Sequence, residues 1–111
     1  MTDLTQIFNN SSTFQNVTTV NTATYDLLTG DQILHVTYTT TGAVTSLTLP
    51  TAQTIANRVI VIKDAGDNAS TNSITIDTEG AQTIEGNATI VINTDGSYVK
   101  LYCDGTGWFL I

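Results

Sequence analysis

Cysteine, histidine, proline and tryptophan each occur once in this chain, and basic residues only three times. The lone Cys103 has no partner for an internal disulfide, which excludes the small secreted folds stapled by cystines. Its neighbours Tyr102 and Asp104 supply no cation to stabilise a thiolate, so it reads as a small core hydrophobe. The lone His35 excludes a two-histidine metal site within one subunit and reads as a structural residue of a sheet face or interface. Arg58, Lys63 and Lys100 stand against ten acidic residues, for a net charge of −7. Phosphate backbones and anionic membranes are bound by clustered Lys and Arg, so neither nucleic acid nor membrane is an expected partner. One proline and eight glycines exclude collagen and a proline-rich linker. The longest apolar run, Val59 to Ile62, falls far short of the ~20 residues of a membrane-spanning helix. Met1 to Thr5 has neither a basic nor an apolar region, so no signal peptide is expected and synthesis is expected in the cytoplasm.

What remains is strand material. The 111 residues are 41% hydrophobic and only 12% charged, and 23 of them are threonine, a residue that favours half-buried pleated surfaces. That composition predicts a single all-β domain. Two textures divide it. Residues 1–22 are polar and repetitive, with Leu4, Ile7, Phe8 and Phe14 scattered among Asn, Ser and Thr. They are too poor in apolar residues to build a core, and are expected to form an extended arm. Residues 23–111 alternate between strand and turn. Strands are expected around 32–38, 44–49, 59–63, 73–77 and 97–103, with a further one beginning at Trp108. Between them stand Asp95-Gly96, Asp104-Gly105 and other turn pairs, in which glycine accepts positive φ. About nine short strands at this spacing suggest a β-sandwich or jelly-roll-like knob. Val59 to Ile62 is apolar on both faces, as expected of a central strand or one covered by another subunit.

No catalytic, metal or cofactor site is expected. Asp64, Asp67 and Asn68 are oxygen ligands in a glycine-containing loop, yet their spacing is not that of an EF-hand, and turns use the same residues. Asp77, Glu79 and Glu85 would serve glycoside hydrolysis only if two of them faced each other about 5–10 Å apart beside a sugar groove.

Leu47-Thr48-Leu49-Pro50, Val59 to Asp64 and Gly66 to Ile76 resemble a pattern in tailed-bacteriophage virion β-domains. The likeness continues through Thr83-Ile84-Glu85-Gly86 and Asp104 to Ile111, and spans residues 25–111. The resemblance implies a trimeric appendage domain of the kind found in capsid decoration proteins, head fibres and fibre tips. With no shaft or heptad repeat in the sequence, the expected role is a capsid decoration (cement) or head-fibre homotrimer. Its partner would be the major capsid protein and its location the virion surface. Leu4, Ile7, Phe8 and Phe14 are the candidate capsid anchors. Val59, Val61, Tyr98, Tyr102 and Trp108 are the candidate trimer-interface residues. The alternative is a tail-fibre tip that recognises a host surface glycan, with Trp108, Tyr98 and Tyr102 as its exposed patch.

Overall fold

A computed structural model describes residues 16–40, 45–49 and 57–111. The arm residues Leu4, Ile7, Phe8 and Phe14 lie outside the described residues. The described residues contain no helix and nine strands. These are β1 (Val17–Val20), β2 (Thr24–Asp26), β3 (Ile33–Val36), β4 (Thr45–Leu49), β5 (Val59–Asp64), β6 (Ile74–Thr78), β7 (Thr89–Ile92), β8 (Tyr98–Cys103) and β9 (Trp108–Leu110).

They form two sheets, one ordered β1-β3-β5-β8-β9 and the other β2-β4-β6-β7. Successive strands alternate between the sheets as far as β6, and within each sheet these strands pair in parallel. Parallel neighbours need a crossover connection. Here the strand of the opposite sheet supplies it, so β1 to β6 wind as a two-sheet coil of three turns. The coil then closes with antiparallel pairings, β7 on β6, β8 on β5 and β9 on β8. The described residues are all-β in two packed sheets, as the composition predicts. A jelly roll pairs its strands antiparallel; the parallel pairing of the first six strands makes this arrangement a coil instead.

Alternation along each strand fills the space between the sheets. Leu34, Ile62 and Val99 stand in register across one sheet, and Leu47, Ile76 and Ile90 across the other. They belong to one core with Val20, Val36, Leu49, Ile60, Ile74, Leu101 and Trp108. Each fully buried aliphatic side chain contributes about 1.5–3 kcal/mol in transfer terms. β5 is the central strand of its sheet, as its two-sided apolar pattern predicts.

The arm boundary moves. Val17–Val20 pairs with β3, and Val20 is buried in the core. The folded unit therefore includes residues 17–20, and a division at residue 22 would cut through its first turn. The pairing had little local signal because only Val17 and Val20 are apolar in that strand.

Candidate functional site

The two outer faces differ in chemistry. On the four-stranded sheet, the outward rows read Thr24, Ser46, Thr75, Val91 and Asp26, Thr48, Asp77, Thr89. This face is a polar lattice of hydroxyls with two carboxylates. On the five-stranded sheet the rows read Val17, Ile33, Val61, Lys100; then Thr19, His35, Lys63, Tyr98; then Val59, Tyr102, Phe109. Apolar side chains point outward here, and both lysines and the one histidine share the face. Tyr98 is 62% exposed and Val17 60%. Tyr102 and Phe109 stack with ring centroids 5.5 Å apart.

Over Ile33 and Val61 this face sinks into a groove of about 580 Å³, lined also by Asn16, Thr29, Gly30, Gln32, Asn57, Arg58, Val59 and Lys100. Two of the chain's three cations line it, and no carboxylate does. Its wall is a rigid piece of backbone chemistry. The turn at Thr29-Gly30 is closed by a hydrogen bond from the Asp31 N–H to the Leu28 carbonyl, 3.0 Å. The Arg58 guanidinium donates to the carbonyls of Thr29 (2.7 Å), Asp31 (2.7 Å) and Leu28 (3.4 Å). The buried Asp31 carboxylate accepts from Thr18 Oγ1 (2.6 Å), Tyr25 Oη (2.7 Å) and the Leu28 N–H (2.8 Å). Burial pushes the Asp31 pKa up. The Leu28, Thr18 and Tyr25 hydrogen bonds and the Arg58 charge together outweigh it and hold the pKa below its ordinary value. Burial likewise lowers the Arg58 pKa, opposed by the Asp31 charge. On the near rim, Asn16 Nδ2 donates to the Gly30 carbonyl (2.8 Å), and the Asn16 N–H donates to Gln32 Oε1 (2.6 Å). The Lys100 ammonium, the Asn57 carboxamide and Gln32 Nε2 make no hydrogen bond among the described residues.

The structure divides the candidate interface residues. Val59 and Val61 line the groove, while Tyr98 and Tyr102 form an aromatic stripe beside it on β8. Trp108 does not belong with them. It is fully buried, because its register opposite Cys103 turns it into the core. Its place at the start of an apolar terminal strand suits either a core or an interface anchor, and its inward parity makes it a core residue.

The acidic candidates are spread apart. Asp64 is buried, and its Oδ2 accepts the N–H groups of Asn68 (2.9 Å), Ala69 (2.9 Å) and Gly96 (3.0 Å). It organises two loops. No group of three His, Cys, Asp or Glu among the described residues is arranged to hold a metal ion. Asp77 lies on the polar outer face, where its Oδ1 accepts the Thr78 N–H, and Glu79 follows β6. Glu85 sits at the free edge of β9 in the other sheet, its Oε2 accepting the Leu110 N–H at 2.8 Å.

No known family model and no curated protein matches this chain. The functional reading therefore rests on the face and the groove.

The groove itself escaped sequence reasoning. Strand parity alone places Lys63 and Lys100 outward beside Val61, and that signal was readable. The return of Arg58 to the loop at residues 28–31 was not, because it joins positions about 30 apart.

Proposed function

We propose that this protein is a structural component of a tailed-bacteriophage virion, a capsid decoration or head-fibre homotrimer that binds the major capsid protein and stabilises the capsid surface. The observation that carries this reading is the apolar outer face of the five-stranded sheet. Val17, Val59, Tyr98 and Tyr102 lie on that face and are exposed in the single chain. Exposed apolar surface rimmed by polar residues marks an interaction site. The aromatic stripe of Tyr98, Tyr102 and Phe109 is the part of the face best suited to contact another copy, since stacked rings bury much area for little lost rotamer freedom. The resemblance of residues 25–111 to virion β-domains supports the same reading.

Capsid binding is tested by mixing the protein with undecorated capsids and pelleting them. Saturable co-sedimentation at a fixed ratio to the capsid protein is the expected result, and protein left wholly in the supernatant would reject it. Bound trimers would raise the temperature at which capsids disrupt, since a ligand of the assembled lattice alone stabilises it by mass action.

A second reading, recognition of a host surface glycan at a fibre tip, is favoured by one observation. The groove over Ile33 and Val61 brings amide and ammonium groups, without hydrogen-bond partners among the described residues, to an aliphatic floor.

A further inference from the structure

We infer that the groove over Ile33 and Val61 is a binding site for an acidic saccharide, a sugar carrying a carboxylate. This deepens the glycan reading above and rests on it.

The charge distribution is the first argument. The chain carries ten acidic residues and three basic ones, yet the ten residues lining the groove include two of those basic residues and none of the acidic ones. The third cation, Lys63, and the only histidine, His35, lie on the same face one row away. A concave site lined by charge of one sign on an otherwise acidic molecule favours a ligand of opposite charge.

Preorganisation is the second. Arg58 is held by three backbone carbonyls before any ligand arrives, so little side-chain entropy is lost when its charge is used. The Asp31 carboxylate lies on the inner side, bonded to Thr18 and Tyr25, and does not line the groove. The Lys100 ammonium, on the opposite flank, makes no hydrogen bond to another described residue. A carboxylate between them would accept charge-assisted hydrogen bonds, the stronger kind.

The remaining lining argues for a sugar rather than a bare anion. Gln32 Nε2, the Asn57 carboxamide and the Thr29 hydroxyl offer donors and acceptors at the rim, matching ring hydroxyls. Ile33, Val59 and Val61 supply an apolar floor for the C–H face of a pyranose ring. The groove volume of about 580 Å³ falls in the range of small-ligand sites.

The test uses a galacturonic acid trisaccharide and its carboxyl-reduced galactose counterpart, titrated into the full-length protein and followed by backbone amide NMR shifts. The expected result is saturable shifts at Ile33, Val61 and Lys100 with the acid, at least tenfold weaker binding of the reduced sugar, and weakening by added salt. Lys100→Glu should lose at least tenfold in affinity and Lys100→Arg should retain it, with light scattering confirming an unchanged mass for each variant. Equal binding of both sugars would overturn the acidic assignment while leaving glycan recognition standing. Absence of shifts in these residues with either sugar would overturn the inference and the glycan reading together.

Discussion

The Asp64 carboxylate accepts the Gly96 N–H at 3.0 Å, tying the end of β5 to the turn between β7 and β8 across 32 residues. The same oxygen accepts the Asn68 and Ala69 amides, so one buried atom terminates the central strand and fixes two loops. Lys63 reinforces the junction by donating to the Gly96 carbonyl. Because all three amides converge on Oδ2, asparagine can keep them with its single carbonyl oxygen, whereas alanine strands them. Leaving a buried donor unsatisfied costs about 1–3 kcal/mol. Asp64→Ala should therefore lower the urea midpoint severely and Asp64→Asn only moderately. Equal midpoints for the two variants would show that the carboxylate oxygen is not the organising atom.

Tyr25 and Asp31 give the fold a pH dependence at both ends. Burial, the hydrogen bond to Asp31 and the Asp31 charge raise the Tyr25 pKa from 10.0 to about 12. A hydroxyl that stays protonated in the fold after it would ionise in the unfolded chain contributes stability that is full below the lower value and lost as pH rises through the higher. At the acid end the sign reverses. Asp31 is held below 3.8, so its contribution is present above that value and lost as pH falls through the folded pKa. Near-ultraviolet titration should show one tyrosine ionising late, near pH 12, and Tyr25→Phe should remove that step. A late step that survives Tyr25→Phe would assign it elsewhere.

Glu85 and Gly86 both adopt positive φ, 52° and 81°, in a two-residue turn closed by reciprocal hydrogen bonds between Ile84 and Asn87. This turn shields the open edge of β9, where Glu85 occupies the Leu110 N–H that would otherwise invite another strand. A Cβ at Gly86 would meet nothing within 4 Å, so any penalty there is backbone strain alone. Gly86→Ala should cost roughly 1–2 kcal/mol, the price of the left-handed region for an L-residue. An unchanged melting temperature would contradict the turn geometry.

Much of the fold was legible because alternation survives without knowledge of partners. Ile74 to Thr78 and Tyr98 to Cys103 show their inward residues plainly, and the structure places strands at both. Pairing direction left no such mark. Asp104-Gly105 does join two antiparallel neighbours, β8 and β9, whereas Asp95-Gly96 carries the chain from one sheet to the other. A glycine at positive φ reverses the chain equally well in either setting. The coil also hides because its turns differ in length, with Val17 in register with Ile33 and Ile33 with Val61. No repeat of fixed period results. For the candidate site, parity identified the outward residues of β5 and β8 but could not reveal the distant loop that walls the groove.

The mass of the protein in solution reports directly on the homotrimer. Light scattering at micromolar concentration should give about 35 kDa, three copies of an 11.8-kDa chain. Tyr102→Glu, which places a charge in the aromatic stripe without touching the core, should reduce that mass to 11.8 kDa while the melt stays cooperative. A wild-type protein that remains at 11.8 kDa would contradict the trimer, and a trimer indifferent to Tyr102→Glu would contradict the assignment of the stripe as its interface.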